Sequence, residues 1–233
     1  VKPFFKKAKV FLLKTILWFF VLSIGSTILF RFVPVPFTIL MLQRSVEQII
    51  AGEKPRIKKN WVEWNNISSN MKRAVIASED QNFFSHSGFD FEAIKKATKF
   101  NERQVSKKKK KLRGASTISQ QTAKNVFLFP ARSWFRKGLE VYFTFLIEIF
   151  WSKERILEVY LNVIETGKGV YGVDAAADYY FHTSAKNLNA NQAAAIAAII
   201  PNPRKWSASA PTAYVNKRKA WILRQMNYMV LPK

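Results

Sequence analysis

Glu79 and Asp80 stand side by side in ASEDQNFFSHSG, with Phe83, Phe84 and His86 just beyond. A charged acid in so aromatic a setting is disfavoured unless its neighbours compensate, so the pair asks for a chemical reason. MKRAVIASED reads as a helix capped by Asn70, and the two acids fall at its C-terminal end. There the backbone dipole disfavours negative charge by about 0.3 to 1 kcal/mol. The dipole and partial burial against Phe83 and Phe84 both favour the protonated acid, which suits a proton acceptor working near neutral pH.

Arg136 and Lys137 show the reverse fault, because they open the apolar helix GLEVYFTFLIEIFW at the end where cations are disfavoured. Something anionic compensates them: either Glu140, one turn on from Arg136, or a bound anion. GASTISQQTAKN offers backbone N–H groups, hydroxyls and Lys124 at a helix N-terminus, an arrangement that suits an anion. A capping box accounts for Thr117 and Gln120 but leaves Ser116, Gln121, Lys124 and Asn125 together unexplained. In KERILEVYLN the apolar stripe is Ile156, Leu157, Tyr160 and Leu161, while Glu154, Glu158 and Asn162 recur on another face. Spacing by itself favours solvent over a polar cleft on that face.

The chain carries 38 Lys and Arg against 15 Asp and Glu, a formal charge of +23, so its surface must meet anions: nucleic acid, acidic lipid or a phosphorylated substrate. With no cysteine, disulfides, thiolate metal sites and Cys nucleophiles are excluded. His86 and His182 are far apart, no HExxH is present, and Gly167-Lys168-Gly169 lacks the spacing of a phosphate-cradling loop.

The elements that must hold these groups begin with VFLLKTILWFFVLSIGSTILF, residues 10 to 30, long enough to cross a bilayer core. Lys2, Lys6, Lys7 and Lys9 precede it, which puts the N-terminus in the cytoplasm and everything after Arg31 outside. A cleaved signal peptide, with a weak small-residue site at Ser23-Ile24-Gly25, is the alternative. VPVPFTILML, residues 33 to 42, is broken by Pro34 and Pro36 and too short to span; it packs in the core or lies in the membrane interface. Beyond Gln43 the pattern is helical nearly throughout, with Thr117, Ser152 and Asn189 as further caps and no internal repeat. NERQVSKKKKKLRG, residues 101 to 114, reads as a solvated loop, either idle or an anion-attracting flap beside a site. The expected organisation is a basic tail (1–9), an anchor (10–31), a juxtamembrane segment (32–44) and one all-α domain (45–233).

These residues resemble the peptidoglycan glycosyltransferases, the lysozyme-like family that polymerises lipid-linked disaccharide, and in particular its monofunctional membrane-anchored members. The motif EDxxFxxHxG is matched by Glu79, Asp80, Phe83, His86 and Gly88. GxSTxTQQxxKN is matched from Gly114 to Asn125, with Ser119 in place of Thr; RKxxE is Arg136, Lys137 and Glu140; ILExYLN runs from Ile156 to Asn162. A final basic pair, usually Arg-Arg, is Arg218 and Lys219. The length leaves no room for the second domain of a bifunctional penicillin-binding protein, and the one SxxK match lies inside the lysine run.

The resemblance implies a lysozyme-like all-α fold in which a growing lipid-linked glycan is donor and lipid II is acceptor. Glu79 is then the general base and Glu158 the second, less certain catalytic acid at the donor site. Asp80, Phe83, His86, Gly88, Gly114, Ser116, Thr117, Gln120, Gln121, Lys124, Asn125, Arg136, Lys137, Glu140, Asn162, Arg218 and Lys219 would form the substrate groove. No cofactor is required by it; a divalent cation, Mg or Mn, at the pyrophosphate with Glu158 as ligand is the one cofactor it leaves room for. Membrane lipids and other wall-building proteins are implied partners, nucleic acid is not, and the place implied is the bacterial cytoplasmic membrane with an extracytoplasmic domain. Two rivals stand against it: a lysozyme-like glycan-cleaving enzyme, and a membrane-tethered polyanion binder.

Overall fold

The computed structural model describes residues 2–106, 114–131 and 133–232. In chain order the elements are α1 (Lys2–Phe32), α2 (Ile39–Ile50), β1 (Lys58–Lys59), α3 (Ser69–Glu79), α4 (Phe91–Ser106), α5 (Ile118–Phe127), α6 (Trp134–Phe150) and α7 (Lys153–Val163). They continue with β2 (Glu165–Gly167), β3 (Val170–Tyr171), α8 (Val173–Phe181), α9 (Ala190–Ile199) and α10 (Ala213–Met226).

Two helical layers carry the core. In one, α5 packs against α6 and α7; in the other, the Ala-rich α9 lies between α3 and α10, its small side chains letting the neighbouring backbones approach. Helix α7 is the centre: every residue from Ile156 to Val163 is buried. That includes Glu158 and Asn162, so the face expected to meet solvent meets protein. Asn162 exchanges hydrogen bonds with the backbone of Val62, its Oδ1 accepting from the N–H at 2.8 Å and its Nδ2 donating to the carbonyl at 2.8 Å. A three-residue turn of 3-10 helix over Trp64–Asn66 follows that contact. Asn162 is thus a brace for a distant loop, not a groove residue.

The helical expectation holds, with one small addition. β1 pairs in parallel with β3, and β3 pairs antiparallel with β2, in the order β1-β3-β2. Gly172 closes this ribbon onto α8 at φ +80; a Cβ there would lie 2.8 Å from the Asn162 carbonyl oxygen, so only glycine fits.

The caps at Thr117, Ser152 and Asn189 form as expected, the first and third as full capping boxes. α3 differs: Ser68 caps it by accepting from Met71 N, and Asn70 lies inside the first turn with its amide on the Leu188 carbonyl. The start of the expected 101–114 loop is also helical, because α4 continues to Ser106; the five lysines lie outside the described residues.

Within α1, Lys7–Phe32 is long and apolar enough to cross a membrane, and from Phe19 onward it packs against α6. Ser23 Oγ and Tyr142 OH are 2.8 Å apart, the Trp151 indole donates to the Thr27 carbonyl at 2.7 Å, and Arg155 donates to the Phe30 and Val33 carbonyls. Arg155 thereby satisfies orphan carbonyls at the helix end. α2 runs through residues 44 and 45, where the juxtamembrane segment was expected to meet the domain, so the chain has no break there. Val35 and Met41 are buried, so this segment packs partly into the core, while Phe37, Ile39 and Leu42, and further along α2 Val46, Ile49 and Ile50, are exposed.

Candidate active site

Glu79 is the last residue of α3 and faces a cleft of about 600 Å³. Three donors hold its carboxylate. Ser78 Oγ and Arg218 Nη2 reach Oε1 at 2.8 and 3.2 Å, and Gln121 Nε2 reaches Oε2 at 3.2 Å. They come from α3, α10 and α5, so three elements fix one carboxylate.

Asp80 has a different task. Its two oxygens lie 3.0 Å from His86 Nε2, and Oδ2 also accepts from Ile118 N at 3.0 Å, the first backbone N–H of α5. An acid at a helix N-terminus is where the dipole favours it. Thr117 Oγ1 donates to the Gly88 carbonyl at 2.7 Å, which ties the same two segments a second time. Gly88 sits at φ +87, and a Cβ would meet Thr144 Cγ2 at 2.9 Å. Phe83 is fully buried, Thr117 and Gln120 are buried in the capping box, and His86 is largely enclosed. Phe83, His86, Gly88 and Gln120 therefore support the cleft from behind, while Asp80 and Thr117 both brace it and reach its wall. Ser119, the departure from the motif, is buried too and donates to Glu148, a task any hydroxyl performs.

Gly114, Ser116 and Gln121 do line the cleft. Lys124 follows Gln121 by one turn of α5, and its charge is felt by Glu140, Arg136, Lys137 and Glu79 alike. It does not line the cleft itself; part of the side chain is open to solvent, with protein on most other sides. Desolvation holds its pKa below the ordinary lysine value, Arg136 and Lys137 push the same way, and Glu140 and Glu79 oppose them. Lys124 makes no ion pair or hydrogen bond among the described residues. Arg136 donates to Glu140 at 2.7 Å and Lys137 also pairs with Glu140, so the buried acid answers both misplaced cations. Two positive charges against one negative still leave an excess, with Lys124 beside them. Asn125 on α5 and Lys219 on α10 are half-buried and make no polar side-chain contact among the described residues.

Glu158 stands apart. It lines a second cavity of about 320 Å³ with Phe32, Trp61, Trp64 and Arg155, at the foot of α1. Oε1 accepts from Trp64 N at 3.1 Å and Oε2 from Arg155 at 2.9 Å. A carboxylate already facing a guanidinium and an N–H does not suit a metal cation, and no group of three or more His, Asp or Glu side chains gathers as a metal site among the described residues.

Sequence reasoning missed Tyr160 and Ser78. The Tyr160 hydroxyl donates to Gln121 Oε1 at 3.1 Å, which turns the amide nitrogen of Gln121 toward Glu79. Burial raises the Tyr160 pKa well above its ordinary value, with the charges of Glu79 and Asp80 adding to it, so the hydroxyl stays a donor. Tyr160 had shown only as one more member of an apolar stripe.

A family model described as Transglycosylase matches residues 45–227. The chain belongs to the transglycosylase family. It is similar to the biosynthetic peptidoglycan transglycosylase of Bacteroides thetaiotaomicron, 56% identical over 218 residues that cover 94% of this chain and 85% of that one. The protein of that name from Pseudomonas putida is 54% identical over 216 residues, covering 93% and 89%. That from Bdellovibrio bacteriovorus is 54% identical over 215 residues, covering 92% and 84%. In this transglycosylase the elements around Glu79, α3, α5 and α10, all fall within the matched segment.

Proposed function

We propose that this transglycosylase builds peptidoglycan glycan strands from lipid II by inverting β-1,4 transfer, with release of lipid pyrophosphate. The observation that carries the proposal is the placing of Glu79: gripped by Arg218, Ser78 and Gln121 at an open cleft, with Lys124 one turn beyond Gln121. Glu79 takes the proton from the acceptor's 4-hydroxyl as that oxygen attacks the donor's anomeric carbon. Negative charge then grows on the departing pyrophosphate, and Lys124, Arg136 and Lys137 meet it; donors aimed at developing charge are the largest usual catalytic term. Glu140 keeps the two cations together until the substrate arrives. For Glu158, named by the resemblance as second acid, the contacts favour a positioning role through Trp64 and Arg155.

A glycan-cleaving enzyme needs a second free carboxyl about 5 to 9.5 Å from the first. The other acids lining this cleft serve the fold at helix N-termini, Asp80 accepting from Ile118 N of α5 and Asp90 from Ala93 N of α4, with His86 and Asn82 as their further partners. A pyrophosphate leaves without a proton, so transfer has no such need.

The lysines in the first turns of α1, ahead of its apolar run, support an N-terminus in the cytoplasm and a catalytic domain outside the bacterial inner membrane. The exposed apolar face of Phe37 and α2 suits the membrane interface, where an anchored enzyme meets lipid-tethered substrate at high effective concentration. Labelled lipid II incubated with the full chain tests the proposal: glycan strands are the expected product. Shortening of preformed strands, with lipid II untouched, would favour the cleaving enzyme.

A further inference from the structure

Trp221 lines the Glu79 cleft and is 38% exposed. It makes no hydrogen bond, ring contact or cation–π contact among the described residues, and it is no part of the buried core. An indole in the wall of this cleft, with no ring or polar partner of its own, leaves an aromatic surface free to meet a ligand.

Its place is informative. Trp221 follows Arg218 by one turn of α10, as Lys124 follows Gln121 by one turn of α5. Arg218 grips Oε1 of Glu79 and Gln121 grips Oε2. The carboxylate is thus held between α10, which carries Arg218 and Trp221, and α5, which carries Gln121 and Lys124. Next to that face Gln81 donates to Gln225 at 3.3 Å and joins α10 to the end of α3, and Pro201 adds an apolar edge. A flat aromatic ring with amides at its rim is chemistry suited to a sugar ring, whose axial C–H groups are apolar and whose edge is polar.

We propose that Trp221 is the platform on which the pyranose ring of the incoming acceptor stacks. The inference rests on the transfer reaction proposed above, because that reaction fixes the direction. In an inverting displacement the attacking oxygen and the leaving oxygen lie on opposite sides of the donor carbon, so the neutral acceptor ring belongs on the side of Glu79 away from the phosphate-binding cations. Trp221 reaches the cleft from α10, whereas Lys124, Arg136 and Lys137 stand on α5 and α6, and the cations that share the cleft with the indole are Arg218, held by Glu79, and Lys96.

The test uses the full chain in lipid vesicles, with Trp221→Ala, Trp221→Leu and Trp221→Phe compared with the parent. Polymerisation of labelled lipid II should show KM raised about tenfold in the Ala and Leu variants, with a smaller change in kcat, and largely restored by Phe. Leu keeps bulk but has no ring face, so a parent-like KM in Trp221→Leu would overturn the stacking. Equilibrium binding of labelled lipid II is measured in parallel on Glu79→Gln and on Glu79→Gln with Trp221→Leu. Weaker binding in the second variant supports the platform even where no chemistry occurs, and equal binding refutes it. If Glu79→Gln instead turns over normally, the transfer reading fails by itself, and the binding comparison still judges Trp221.

Discussion

Replacing Tyr160 by Phe removes one oxygen from the centre of the molecule and leaves its packing intact, because the ring is fully buried and stays. The lost bond is the 3.1 Å contact to Gln121 Oε1. A fully buried amide oxygen left unpaired costs about 1 to 3 kcal/mol, and for Gln121, half-buried in the cleft wall, the low end of that range applies. For a domain of this size that lowers Tm by about 2 to 4 °C per kcal/mol. The larger consequence is orientation. Only while Tyr160 donates must Gln121 turn its nitrogen toward Glu79; with Phe the amide is free to rotate and present oxygen to the carboxylate, and one of three restraints goes. A loss of about 1.4 kcal/mol of transition-state stabilisation corresponds to about tenfold in kcat. The assay is thermal unfolding beside lipid II polymerisation, with pH varied. Because Tyr160 is never ionised in the working range, the alkaline limb should stay where the parent has it. Parent-like Tm and kcat in Tyr160→Phe would show that Gln121 is held by other means and would refute the relay.

Three further outcomes follow from the same geometry. Lys124 carries a lowered pKa, so pyrophosphate engagement should weaken as pH rises through that value, while stability linked to this residue rises toward 10.5, the value in the unfolded chain. Lys124→Arg, charged throughout, should move the alkaline limb upward in a pH–rate profile; an unmoved limb assigns it to another group. Gly88→Ala forces φ +87 on an L side chain and presses a methyl onto Thr144, so unfolding should show a loss of about 3 kcal/mol or more, and a neutral result would mean that the loop relaxes freely. Arg155→Ala strips Glu158 and the carbonyls of Phe30 and Val33 of their donor; it should cost about 3 kcal/mol and speed amide exchange around residues 30–36.

What could be read in advance was local. Capping at Thr117, Ser152 and Asn189 is decided within three residues, and α1 declares itself by length. Ser68 and Asn70 both suit a cap, and the choice falls to Ser68 because Met71 and Ala74 must face the core, a tertiary fact. The surroundings of α7 were hidden for a related reason. Four-residue spacing puts Glu158 and Asn162 on one face, but the partner of that face is the backbone of Val62 and Trp64, about a hundred positions earlier. Arg218 was placed in the substrate groove on its motif alone; that it grips Glu79 from α10 is visible only once the chain is folded. The strands, two or three residues each, are too short to show alternation. Motif membership leaves open which members face the cleft, as Glu79, Gly114, Ser116, Gln121 and Arg218 do, and which, like Phe83 and Gln120, are buried behind it.

The most direct measurement is the fate of labelled lipid II with Glu79→Gln, a substitution that keeps shape and removes the proton acceptor. The variant should fold with the parent's Tm, still bind lipid II, and yield no glycan strands. Strands formed at a rate near the parent's would mean that another group takes the proton, and the role assigned to Glu79 would be wrong.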